Sequence, residues 1–131
     1  TIEFKKIINE VELSHKNFKY LGKIEDLSEF FSKLKVFIVP TRIGAGISHK
    51  LHLAASYGIP IVSTDIIANQ MSLESGEDIF TANTSKEFAT KIGLIFNNYE
   101  IWKKLSNSSI NITIRDCNLE NWERTILDSI S

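Results

Sequence analysis

Apolar and polar residues alternate along this chain with two different periods, and the change from one period to the other marks out the elements. Phe4, Ile7, Ile8 and Val11 recur at helical spacing, so the chain opens on an amphipathic helix. After the polar turn His15-Lys16-Asn17, Phe18 to Leu21 reads as a short strand ended by Gly22. Asp26 and Glu29 form a capping pair for a helix from Leu27 to about Lys33, with Leu27, Phe30, Phe31 and Leu34 inward. Val36 to Val39 is a continuous apolar run stopped by Pro40, the pattern of a strand buried on both faces. Thr41 to Gly46 is a loop with two glycines, and Ile47, Leu51, Ala54 and Ala55 then repeat helically until Gly58 and Pro60 end the helix. Ile59 to Thr64 is a second buried strand.

Beyond it the signals weaken. Asp65 to Gly76 reads as a loop containing the apolar set Ile66, Ile67, Met71 and Leu73, followed by an edge strand at Asp78 to Thr81. Thr84 with Glu87 is a second capping box, and Phe88, Ile92, Ile95 and Phe96 form one stripe of core packing until Asn97-Asn98 breaks the helix. Ile101, Trp102 and Leu105 continue helically, Ile110 to Ile114 is β-branched and ambiguous, and Asn118 caps a last helix with Leu119, Trp122, Ile126 and Ile130 inward. Strands alternating with helices predict an α/β fold: a Rossmann-like parallel sheet with helices on both faces, in one domain over residues 1–131.

Composition narrows the partners. With 15 basic and 16 acidic residues the net charge is −1, which gives no general field for nucleic acid or an anionic membrane. No apolar run approaches the roughly 18 residues of a membrane span. The single cysteine, Cys117, excludes an internal disulfide and fits a reducing compartment. The start at Thr1 rather than Met reads as a fragment or processed piece.

The candidate chemistry sits at the glycine loop. The first amides of a helix lack internal partners and lie at the positive end of its dipole, so a loop of small residues there admits an anion, with Arg42 and Lys50 as flanking charges. A tight structural turn would look the same, and the loop matches neither the P-loop nor the dinucleotide fingerprint. In open parallel sheets, however, ligands bind outside the carboxyl ends of the strands, where this loop lies. His49 and His52 could share a metal only with further ligands that no pattern supplies, Asp65 reads as a turn residue rather than an acid or base, and Cys117 reads as a bystander.

Gly22, Asp26-Leu27, the run Val36 to Arg42, Ala45-Gly46-Ile47, His49 to His52, Ala54-Ala55, Gly58 to Thr64, Ala68, Gln70, Gly76, Asp78-Ile79 and Phe88-Ala89 together resemble the C-terminal lobe of bacterial nucleotide-sugar glycosyltransferases of the two-lobed GT-B type. The group concerned is the glycosyltransferase group 1, or family 4-like, set, commonly retaining and metal-independent. The resemblance implies a lobe that binds a nucleotide diphosphate-sugar donor, with Arg42, Gly44, Ala45, Gly46, Ile47, Ser48, His49, Lys50 and Leu53 along the donor and the helix amides aimed at the leaving diphosphate. It implies transfer to a glycan or polysaccharide acceptor held by an N-terminal lobe outside this chain, without which the chain is inactive, and neither cofactor nor metal. It further implies a cytoplasmic location, free or peripheral to the inner face of the membrane.

Two departures qualify it. Many members carry two glutamates with seven residues between them, one at the donor sugar and one at the ribose, whereas this chain has Ala45 and Leu53 there. At about 100° per residue, Leu53 falls off the Leu51/Ala54/Ala55 stripe and beside His49, Lys50 and Tyr57, where a carboxylate would face the cleft and leucine cannot bind hydroxyls. The second departure is that the first two strands of such a lobe, with their phosphate-holding Arg and Lys, have no counterpart in the sequence. Val36 to Val39 should therefore present an apolar edge that invites self-association, rearrangement or completion by upstream residues. A non-catalytic module that keeps the fold and binds a partner or sugar nucleotide weakly is the second reading; a flavodoxin-like regulatory domain would want an acidic pocket at the strand ends.

Overall fold

The computed structural model describes residues 2–42 and 47–116 of the chain. The predicted final helix from Asn118, Cys117 and the loop residues Gly44, Ala45 and Gly46 lie outside them. Two compact units are present, residues 1–30 and 31–131.

The first unit holds α1 (Ile2–Ser14) and the start of α2 (Leu27–Ser32). Asp26 caps α2 as expected: its Oδ1 accepts from Glu29 N at 3.1 Å. The strand expected at Phe18 to Leu21 does not form. Alternation alone cannot make a strand without a ladder to join, and here Tyr20 N donates instead to the Glu12 carboxylate at 2.8 Å. Leu27, expected inward, is exposed, and Phe31 is the buried residue of α2.

The second unit is built on three parallel strands, β1 (Phe37–Val39), β2 (Ile61–Ser63) and β3 (Phe80–Thr81), in the order β1-β2-β3. Phe37 aligns with Ile61 and Val62 with Phe80. Between them run α3 (Ile47–Ser56) and α4 (Asp65–Gln70), and after them α5 (Ser85–Asn97) and α6 (Tyr99–Asp116). Alternate residues of β2 enter different cores. Ile61 packs with Val39, Leu51, Ala55, Ile67, Leu73, Ile79 and Ile112, whereas Val62 packs with Ala82, Ile95 and Leu105. Helices thus cover both faces of the sheet, and each buried aliphatic side chain contributes about 1.5–3 kcal/mol.

The strand predicted as buried on both faces is only partly so, since Ile38 is 43% exposed while Val39 is buried. β1 is the edge of the described sheet, so one of its faces lacks the cover that β2 has. The stretch read as a loop after Thr64 contains α4, a helix too short for periodicity to reveal. Its Ile67 and Ala68 are buried, and Asp65 in the first turn suits the helix dipole.

The ambiguous Ile110 to Ile114 segment is the last part of a continuous α6. Every second residue there is isoleucine, but burial follows the helical set Leu105, Ser109 and Ile112 and leaves Ile110 and Ile114 exposed. The Thr84/Glu87 capping box is present with both its bonds, and Asn98, which ends α5, accepts from Glu100 N and Ile101 N and so opens α6. Phe96 departs from its expected core stripe: it is 51% exposed and lies under the Lys35 ammonium, 4.9 Å from the ring centre.

α6 ties the layers together across the amino end of β2. The turn from α3 to β2 is a Schellman closure, with Gly58 N donating to Ala55 O at 2.9 Å and Ile59 N to Ala54 O at 3.3 Å, and Gly58 at φ +68°. The carbonyls left over are taken by α6, for Ser106 donates to Gly58 O at 2.6 Å and Ser109 to Ile59 O at 2.7 Å. A Cβ on Gly58 would lie 3.2 Å from Ser106 Oγ and 3.3 Å from Ile110 Cδ1. Gly58→Ala should therefore add backbone strain and displace the Ser106 hydroxyl, costing about 1–3 kcal/mol. A urea midpoint lowered in proportion is the expected result.

Candidate functional site

The parallel order sets where polar loops gather. β1, β2 and β3 each run into a loop and then a helix, so the amino ends of α3, α4 and α5 all lie at the carboxyl end of the sheet. The loops there are joined to one another. Thr64, buried after β2, donates from Oγ1 to Thr41 O after β1 at 2.6 Å, and its amide donates to Val39 O at 3.2 Å. Its hydroxyl is thereby diverted from capping α4, which has no side-chain cap.

Asn83, just after β3, is the hub. Its Nδ2 donates to Asp65 Oδ2 at 2.7 Å, its Oδ1 accepts from Asp65 N at 3.2 Å, and its own amide donates to Glu87 Oε2 at 2.7 Å. Its carbonyl accepts from Arg42 Nη2 at 2.9 Å. Every backbone and side-chain polar group of Asn83 is engaged, and the loops after all three strands are joined through it and Thr64.

The predicted residues distribute around this hub. Arg42 is exposed and its guanidinium lies against the β3–α5 loop, so it bridges two strand ends. Ile47 and Ser48 are the first two residues of α3, and His49 and Lys50 in the same turn are exposed. Leu51, Ala54 and Ala55 are fully buried while Leu53 is half-buried. His52 does not join His49: its Nε2–H donates to Asp116 Oδ2 at 2.8 Å, linking α3 to the end of α6. Among the described residues no group of three His, Cys, Asp or Glu is placed to hold a metal ion. Asp65 serves its Asn83 partner at the start of α4.

Sequence reading did not find Asn83, because the partners it joins lie 18 and 41 positions away and no local pattern links them. Its one local clue was its place immediately before the Thr84 capping box. A shallow hollow of about 510 Å³, lined by Leu34, Lys35, Phe96, Asn97, Tyr99 and Trp102, lies by the residue that leads into the amino end of β1, away from this cluster. No described helix is long and apolar enough to cross a membrane.

A family model described as "Glycosyl transferases group 1" matches residues 3–98. The chain belongs to that family. Its fold is similar to the solved C-terminal domain of a glycosyl transferase group 1 family protein (LpcC) from Francisella tularensis, with a TM-score of 0.69 at 11% sequence identity. The likeness covers 87% of this chain, which spans 62% of the length of that solved domain. No curated protein matches the chain in sequence. The resemblance to a GT-B C-terminal lobe and the Rossmann-like α/β fold therefore stand.

Within this glycosyltransferase lobe the far end of α3 is held by charge. Arg115 donates through Nε and Nη2 to Asp116, at 2.6 Å and 3.0 Å, and through its Nη atoms to Ser72 O and Met71 O, each at 3.0 Å. The hydrogen bond from Arg115 holds the Asp116 carboxyl below its ordinary value; partial burial opposes this, and the His52 bond adds to it. A depressed carboxylate stabilises the fold above its unfolded pKa of about 3.9 and ceases to do so as the pH falls through the lower folded value. Asp116→Asn should cost about 1 kcal/mol at neutral pH, the site being only partly buried. Urea unfolding of both proteins should show that difference closing as the pH falls below the ordinary carboxylate range.

Proposed function

We propose that this chain is the donor-binding lobe of a glycosyltransferase that moves a sugar from a nucleotide diphosphate-sugar to a glycan or polysaccharide acceptor. The observation that carries the reading is the family match over residues 3–98. The described fold supports it: the ten-residue α3 begins at the carboxyl end of the parallel sheet, after β1. In this reading the loop Gly44 to Ser48 lies along the diphosphate and sugar. The amides at the start of α3 face the leaving diphosphate, and Arg42, His49 and Lys50 surround it.

The chemistry asked of such a site is electrostatic. As the glycosidic bond to the donor breaks, negative charge grows on the departing diphosphate, and fixed amide dipoles with two cations stabilise that charge without reorganising. No metal is needed for this. The acceptor belongs to an N-terminal lobe outside the chain, so the lobe alone binds and does not transfer. A cytoplasmic setting, where nucleotide sugars are made, accompanies this reading, and the β1 edge, with Ile38 exposed, is the surface through which isolated copies would associate.

Ala45 and Leu53 favour a second reading on a specific point. Where related chains place two carboxylates, this one places two apolar residues, as a module that binds sugar nucleotide weakly and catalyses nothing would. Titration of the isotope-labelled chain with UDP and with GDP addresses the site itself: the Gly46, Ile47 and Ser48 amides should shift first. Shifts confined to the region around Trp102 would overturn the placement. Turnover by this chain joined to an acceptor lobe separates enzyme from module.

Leu53→Glu gives an independent measure of the ribose position. A carboxylate accepting two ribose hydroxyls should tighten UDP binding by roughly 1.5–3 kcal/mol, with a smaller gain for 2′-deoxy-UDP. Calorimetry that finds equal gains for the two ligands would remove Leu53 from the ribose site.

A further inference from the structure

Arg42 follows β1, and its guanidinium is held at 2.9 Å by the carbonyl of Asn83, 41 positions away. A main-chain carbonyl in a loop is a steady acceptor only if the loop is steady. Asn83 secures its own loop three times, by Nδ2 to the Asp65 carboxylate, by Oδ1 from the Asp65 amide and by its amide to the Glu87 carboxylate. Glu87 is fixed in turn, since its carboxylate also accepts from Thr84 N at 3.1 Å and its amide donates to Thr84 Oγ1 at 3.1 Å. The order of dependence therefore runs from α4 and α5 through Asn83 to Arg42.

We infer that Asn83 is a positioning residue for donor recognition: clamped between Asp65 and Glu87, it fixes the Arg42 guanidinium at the carboxyl end of the sheet, ready for a diphosphate. The inference rests on the donor-site reading of Arg42 given above and goes beyond it, because Asn83 itself need touch no ligand. A long arginine left to rotate in solvent would lose side-chain freedom on binding; one already held in place has little left to lose, and the difference appears as affinity. One Nη atom is engaged by the carbonyl, and a guanidinium carries five N–H donors, so pinning it leaves donors for phosphate oxygens. The Asp65 and Glu87 carboxylates hold Asn83 by its side chain and amide, so both negative charges are spent on a neutral residue rather than on Arg42 itself.

The test is a double-mutant cycle read by calorimetric UDP affinity, with urea unfolding as a control for folding. Arg42→Ala should weaken UDP binding about tenfold or more. Asn83→Ala keeps the carbonyl and the backbone bond to Glu87 but removes both side-chain bonds to Asp65, and should weaken UDP binding about three- to tenfold in the parent chain and hardly at all when Arg42 is already alanine. Asn83→Asp alone sets two carboxylates together and should be as harmful. Combined with Asp65→Asn it restores a donor opposite an acceptor, and affinity should return at unchanged net charge. This rescue also covers the case in which Asn83→Ala folds poorly. Equal losses from Asn83→Ala with and without Arg42, or no loss while Arg42→Ala binds weakly, overturn the inference and leave the donor site standing. If Arg42→Ala binds UDP as the parent does, the reading of Arg42 fails first and the inference with it.

Discussion

β2 is a strand with no access to solvent on either face, and the rest of the second unit follows from that. Ile61, Val62 and Ser63 are fully buried, so the strand needs neighbours on both edges, helices on both faces and a partner for every polar group. The neighbours are β1 and β3, and the faces are covered by α3, α4 and α6 on one side and by α5 with the first part of α6 on the other. The polar account closes too. Ser63 donates to Thr64 O and Thr64 to Thr41 O, while no described buried side chain is left without a hydrogen-bond partner.

The two ends of β2 meet this demand by different means, and function follows the difference. At the amino end the helix α6 lies across the turn and seals the Gly58 and Ile59 carbonyls with serine hydroxyls. At the carboxyl end no described helix crosses. The loops satisfy one another through Thr64 and Asn83, and the amino ends of three helices converge there, so that end is polar. In the proposed donor reading a ligand carrying negative charge would bind at that end, where Leu53 and Ala45 lack the carboxylates that the family resemblance places at a sugar and a ribose.

What could be read from sequence divides by the range of the interaction responsible. β2, the Schellman end of α3 and the Thr84 cap were legible because an apolar run buried on both faces, a helix-ending glycine and a capping box are each written within a few residues. Phe18 to Leu21 misled because alternation shows willingness to pair and not the presence of a partner. Ile110 to Ile114 was ambiguous because period two and helical burial coincide there, and Ser109, a polar residue, carries the decisive contact. α4 was missed for its length, and Phe96 for the assumption that an apolar stripe is buried along its whole extent. Of the candidate site, the position of Arg42 after a parallel strand was legible, but its link to Asn83 was not, since the two are joined only by the fold.

That network and the sealing of α3 are two ends of one device. α3 is closed by the Schellman turn, the serines of α6 hold that turn, and His52 in the middle of the helix pairs with Asp116 at the end of α6, so its register cannot slide without breaking bonds in the turn and to α6. Arg42 is fixed independently, through Asn83, to the starts of α4 and α5. The two meet at β2, which carries Ile59 and Gly58 before it and Thr64 after it. α3 and Arg42 are therefore held by different elements but referred to the same buried strand. Loss of either anchorage leaves the other in place, and for that reason their effects on binding should be separable from their effects on folding.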